Sequence, residues 1–133
     1  MATESPLLHH SQCTAAANLS NTAGLDGPNG AGQFLAVKVT ASRQVNLANA
    51  GGEAIDGILQ NDPVLGYVAD VGFMGVSKAV AGAAFAAGAL LMTDTNARLI
   101  AATTGNVAVA KAIEAATAAN QVVTVMVMDF GKQ

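Results

Sequence analysis

The sequence predicts an all-β protein: a small β-barrel (β-sandwich-like) domain with short helical turns and an extended N-terminal arm. Three observations predict it. From Phe34 onward, short runs rich in Val, Leu and Ile recur with partial apolar/polar alternation. Clusters of Gly, Asn, Asp and Pro separate these runs at intervals of about 8–12 residues, the spacing of small barrels and sandwiches. The chain then closes on Val122-Val-Thr-Val-Met-Val-Met128, an almost pure strand sequence. With 133 residues it has room for one core rather than two.

Residues 1–33 form the first part and 34–133 the second. The first part contains no Val, no Ile and no aromatic residue, but four glycines, and ends in the turn-dense Gly27-Pro-Asn-Gly30. Leu7, Leu8, Leu19 and Leu25 are too few to build a core. Residues 1–33 therefore read as an arm, either a free tail or one that orders on a neighbouring subunit.

The body begins with Phe34–Thr40 and Arg43–Leu47 as strands. The turn Asn49–Gly52 leads to a third, Ala54–Gln60, which Asn61-Asp62-Pro63 stops. Tyr67–Phe73 alternates, and Met74–Val80 continues it with Gly72 and Gly75 as bend points. Leu90–Thr93 and Arg98–Ala102 read as a hairpin around Asp94–Ala97. Val107–Ile113 and Gln121–Met128 complete the set. Ala79–Ala89 and Ala108–Ala119 pull the other way, because alanine is the best helix former; one or two helical turns are expected near Ala83–Ala87 and Ala115–Ala119.

Composition narrows the function. The hydrophobic set makes up 52% of residues and charged residues only 11%, against roughly a quarter in an average soluble domain. This is the reverse of a disordered chain. Net charge is −3 with six scattered Lys and Arg, so direct nucleic-acid binding is not expected. The longest uncharged run, Ala79–Thr93, is interrupted by Gly82 and Gly88 and falls short of the roughly 20 residues that span a bilayer; no membrane association is expected. The N-terminus has no signal-peptide pattern. The lone Cys13 excludes an intramolecular disulfide and a multi-cysteine zinc site.

The catalytic inventory is thin. His9 and His10 are adjacent in the arm, and adjacent side chains of an extended chain diverge. Cys13 with His9 is a formal nucleophile–base pair that nothing holds rigid. Asp62 and Asp94 fit turns, and Asp56 and Asp70 fall on the polar phase of strands. No catalytic, cofactor-binding or metal-binding residue is expected, and the chain is read as a non-enzyme. A charge-poor surface on so small a domain instead suggests burial against partners.

The residues then carry a resemblance. Gly57-Ile-Leu-Gln-Asn-Asp-Pro63 resembles the G-V-L-Q-N-x-P segment of the small capsid decoration (cement) proteins of tailed bacteriophages. Gly75-Val-Ser-Lys-Ala-Val-Ala-Gly82 is similar to their G-V-x-K-x-x-A-G strand and turn. Ala86-Ala-Gly88, Leu90–Asp94 and Ala97-Arg-Leu-Ile100 look like their A-A-G-D-x-V-x-x-D-x-x-G-R hairpin, with Ala89 in place of a usual Asp and Ala97 in place of a usual Gly. Val109–Ala119 and the terminal valine strand resemble their closing segment. The likeness covers roughly 54–128 and leaves the arm aside.

The resemblance implies a structural virion protein, made in the host cytoplasm. It would act as a homotrimer on the outer capsid surface, cementing neighbouring copies of a major capsid protein and stabilising the expanded head. On that reading Leu7, Leu8, Leu19 and Leu25 are the arm's capsid contacts. Phe73, Met74 and Phe85 are candidates for the trimer interface, with core packing as their alternative. Two other classes stay open: a phage tail or fibre component or bacterial surface subunit, and a small hydrolase or ligand-binding barrel.

Overall fold

Period-two alternation is what lets a strand bury one face, and it governs most of this chain. In Val122–Lys132, residues Val123, Val125 and Val127 are buried while Val122, Met126 and Met128 are exposed. The computed structural model describes residues 7–133; residues 1–6 of the expected arm lie outside the described residues. Among those described, nine strands form one sheet: β1 (Leu7–Ala15), β2 (Ala36–Ala41), β3 (Gln44–Leu47), β4 (Gly57–Leu59), β5 (Val68–Val80), β6 (Leu90–Thr93), β7 (Leu99–Ala101), β8 (Val107–Ala112) and β9 (Val122–Lys132). The all-β class is as expected.

The order is β1-β3-β2-β4-β5-β9-β8-β6-β7, and β1 also pairs with β5. Five strands, β1, β3, β2, β4 and β5, thus close into a ring. One joint of the ring is parallel, Thr14 opposite Gln44 and Ala15 opposite Val45; the others are antiparallel. The remaining four strands continue from the second half of β5 and curl back, ending with an isolated bridge from Ala81 to Leu99. Two apolar clusters fill this layout. One gathers Cys13, Ala15, Leu19, Val37, Val45 and Leu59 with Ala69 and Val71. The larger gathers residues of β5 to β9 around Val80, Leu91, Leu99 and Val125, and includes Leu35 and Ile58.

β5 is the hinge of the design. Its first half belongs to the ring, its second to the extension, and Gly75 stands at the change: it pairs with Leu7 on one side and Val127 on the other. Gly75 has φ of 117°, a conformation that only glycine adopts cheaply. Gly57 is required for a different reason: a Cβ there would sit 2.5 Å from the Gly72 carbonyl oxygen.

Tyr67–Phe73 and its continuation Met74–Val80 form one thirteen-residue strand, Val68–Val80, as read. Two other expectations need correction. The helical turns near Ala83–Ala87 and Ala115–Ala119 do not form. These segments meet instead, Phe85 and Ala116 exchanging backbone hydrogen bonds of 3.0 Å. Short alanine helices are marginal alone, and pairing buries Phe85 against the larger cluster. The one 3-10 turn among the described residues lies elsewhere, at Pro28–Gly30.

The arm also differs from expectation: residues 7–33 do not stand away from the body. β1 is a full member of the ring, and Leu19 is buried in the smaller cluster. The β6–β7 hairpin, in contrast, is as read. Asp94 Oδ1 accepts the Asn96 and Arg98 backbone N–H groups, its Oδ2 accepts from Arg98 Nε at 3.0 Å, and this holds Ala97 at φ of 65°.

Candidate functional site

The same edge of β5 is shared by β4, at Val71 and Gly72, and by β9, from Gly75 onward. The two neighbours diverge at Phe73 and Met74, and this fork is the first candidate surface. Across the opposite edge, Leu8 pairs with Met74 and His9 with Gly72, which leaves Phe73 as an unopposed bulge residue. Bulges of this kind re-aim side chains. Phe73 lies beside His10, ring centroids 5.8 Å apart. It lines a small depression of about 70 Å³ with Ile55, Asp56, Val127, Met128 and Asp129. Leu8, Phe73, Met74 and Met128 are 57%, 40%, 45% and 39% exposed, so the fork is an apolar surface bordered by two carboxylates.

Here the structure joins residues that the sequence placed in different parts: Leu8 from the arm pairs with Met74 of the body, and His10 lies beside Phe73. The other predicted contacts fall elsewhere. Leu19 is 1% exposed and cannot be a surface anchor without unfolding its surroundings. Leu25 is half-buried and packs against both clusters. Leu7 is half-buried and lines a separate depression with His9, Gln60 and Asp70. Phe85 belongs to the core, so its alternative reading, plain packing, is the one observed.

The second candidate surface escaped the sequence reading. In the loop from β4 to β5 and at the first residue of β5, Val64, Leu65, Tyr67 and Val68 are all exposed, Leu65 and Tyr67 by 63% and 68%. The loop is nonetheless held. Leu19 donates to the Pro63 carbonyl at 2.9 Å, Gly66 to Ala15 at 2.9 Å and Ala15 to Tyr67 at 2.8 Å. Asn61 Nδ2 donates to the Val68 carbonyl at 2.9 Å. The signal was present: four large apolar residues in five positions just after a turn is a pattern that loops avoid unless it serves contact.

Polar groups pair off in ways that suit structure. His9 Nδ1 and Asp70 Oδ1 are 2.8 Å apart across β1 and β5. Cys13 is buried in the smaller cluster, away from any such pair. Among the described residues no group of three or more His, Cys, Asp or Glu is placed to hold a metal ion, and no helix is long and apolar enough to cross a membrane.

The Glu53 carboxyl is held below its ordinary value. Burial pushes it up, but Lys38 Nζ at 2.8 Å and the Ala50 and Asn49 N–H groups together pull it below its usual 4.5. A depressed carboxyl stabilises the fold above its unfolded value, and that contribution is lost as pH falls through the folded value. Glu53→Gln should therefore lower the melting temperature at pH 7, with the difference from the parent shrinking below about pH 4.5. Parallel thermal melts across pH check this; a constant gap would show that the charge is not what Glu53 contributes.

No protein-family model matches the chain, and no curated protein matches it. Among solved structures, it is similar to the N base of the head fibre protein gp8.5 of bacteriophage phi29. The match has a TM-score of 0.64 and 18% sequence identity, covering 92% of this chain and 94% of that one. At that identity the two share a fold, and a fold by itself does not carry a function.

Proposed function

We propose that the chain is a non-enzymatic structural protein of a tailed-phage virion, seated on the outer surface of the head. There it binds the major capsid protein and cements neighbouring subunits of the expanded shell. The observation that carries this reading is the near end-to-end likeness in fold to the head fibre base. The motif series from Gly57 to the terminal strand points to the same surface independently.

The role needs no catalysis. It needs an ordered, apolar contact surface, and the loop Val64–Val68 supplies one. Its backbone is already pinned by hydrogen bonds, so little ordering entropy is lost when it docks. A homotrimer would present three such loops to one local three-fold position of a shell and turn weak single contacts into avid binding. A second reading, that the chain is the base of a head fibre, is favoured by the description of its structural neighbour. It differs in what the chain carries outward, not in what it grips.

The test is electron microscopy of purified heads of the phage that encodes the chain, mixed with the protein. Density at regular positions on the outer surface is expected. The double substitution Leu65→Ser/Tyr67→Ser should lower occupancy at least about tenfold, the effect of losing two well-packed apolar anchors. Heads that stay bare with the parent protein would overturn the reading; equal occupancy by the variant would move the grip away from this loop.

A further inference from the structure

We propose that the groove running along β5 from His9 to Lys78 is a binding site for a short acidic saccharide, one that carries a uronate carboxylate. The groove consists of two depressions of about 160 and 280 Å³ that share Leu7 and Gln60 as walls. Together they fall within the roughly 300–1,000 Å³ of small-ligand sites. The groove exists because β5 outruns β1. Leu7 stands opposite Gly75, and beyond it that edge of β5, from Val76 to Lys78, has no partner strand among the described residues. Gly72 makes the saddle between the two depressions. A Cβ there would lie 2.9 Å from both Gln60 Nε2 and Leu7 Cδ2, so glycine is what lets these side chains close over the strand.

The polar groups on the walls are held in set directions. Gln60 uses both amide hydrogens, on the Ile58 carbonyl at 3.0 Å and on Ser77 Oγ at 2.9 Å. That leaves its Oε1 as an acceptor of fixed orientation. At one end His9 Nδ1 and Asp70 Oδ1 hold each other at 2.8 Å, and Asp70 Oδ2 has no side-chain partner among the described residues. At the other end Lys78 Nζ donates to Thr124 Oγ1 at 2.8 Å. Lys78 makes no ion pair among the described residues, so its charge and two further hydrogens remain for a ligand.

Phe34 supplies an aromatic wall. It is half-buried and lines the depression beside Lys78 and Thr124. Its φ of 68° is an outlier for so bulky a side chain. The neighbouring strands hold it there: its N–H donates to the Leu59 carbonyl at 2.7 Å, and its carbonyl accepts the Val80 N–H at 3.1 Å. Strain of this kind collects at ligand sites. An aromatic wall, two fixed acceptors and an unpaired ammonium match one ligand chemistry. A sugar ring lays its C–H face on Phe34, and its hydroxyls donate to Gln60 Oε1 and Asp70 Oδ2. A uronate carboxylate takes a charge-assisted hydrogen bond from Lys78. A neutral sugar would leave Lys78 unanswered, and an acidic peptide lacks the row of hydroxyl donors. The site needs neither a phage head nor a second copy of the chain, so it stands or falls separately from the function proposed above.

The experiment is NMR titration of the full chain with trigalacturonate, with neutral galactotriose and triglutamate as comparison probes. Trigalacturonate should shift the amide signals of Leu7, Gln60, Val76 and Lys78 to saturation, with lower affinity at high salt. Galactotriose should bind at least about tenfold more weakly, the loss of one charge-assisted hydrogen bond. Lys78→Gln should cost trigalacturonate the same factor and leave galactotriose unchanged. Phe34→Leu, which keeps an apolar side chain and removes the ring, should weaken both sugars. Lys111→Gln makes the same change of charge on β8 and should bind as the parent does. Lys78 is exposed, so its variant carries the test if Phe34→Leu disturbs the fold. Triglutamate binding as tightly as trigalacturonate would make the groove a peptide site and overturn the assignment. Trigalacturonate shifts that never saturate, or that survive Lys78→Gln undiminished, would overturn it as well.

Discussion

Deleting residues 2–16 is expected to abolish cooperative folding. The segment removes β1, which closes the five-stranded ring: it pairs with β5 from Leu7 to Thr14 and with β3 at Thr14 and Ala15. It also removes Cys13 and Ala15 from the smaller core cluster and exposes Ala69 and Val71 beneath them. The opened edges of β3 and β5 would carry unpaired backbone groups. Domains of this size are stable by only about 5–15 kcal/mol, and a lost strand with its core residues is of that order. The expected result is a chain without a cooperative thermal transition and with amide protection retained, at most, in β6 to β9. A sharp transition near the parent's melting temperature would instead make β1 a dispensable arm. The consequence for function is practical: such a deletion cannot serve as a clean test of capsid attachment, because it damages the body.

The second large effect separates two leucines that the sequence treats alike. Leu19→Ala should destabilise the fold by about 2–5 kcal/mol, the cost of a large-to-small change in a packed interior. Leu19 is 1% exposed. It packs so closely on Gly32 that a Cβ there would lie 3.0 Å from its own, and its backbone ties the segment to Pro63 and Gly32 at 2.9 and 2.8 Å. Leu8→Ala, at 57% exposure, should change stability by no more than about 0.5 kcal/mol. Urea denaturation of the two variants reads the contrast directly. Equal effects would show that the segment around Leu19 is not held as described. Leu8 is the most exposed of the four arm leucines, so its cost should appear in contact with a partner rather than in stability.

Much of the fold was legible because its signals are local. The alternation in Val122–Met128 needs no knowledge of its partners to be read as a strand. The hairpin of β6 and β7 was readable because Asp94 bonds the backbone of residues two and four ahead. The alanine-rich segments were ambiguous for the same reason: alanine favours helix in isolation, and nothing local records that Phe85 will meet Ala116. At the candidate sites, Phe73 and Met74 were visible as apolar residues beside a glycine bend. The Val64–Val68 loop was visible as apolar residues in the wrong place. Nothing local could show that Asp56 and Asp129, 73 positions apart in the chain, border one depression.

The sequence by itself determined the all-β class, most strand positions, the turns and the charge-poor surface, since these follow from side-chain period and backbone preference within a few residues. Only the tertiary structure decided that β1 belongs to the body, that Leu19 is core while Leu8 is surface, and that Leu8 pairs with Met74 at a fork. Those outcomes depend on ring closure. Whether a leucine near the N-terminus is an anchor or a core residue is settled by the strands that arrive beside it from elsewhere in the chain.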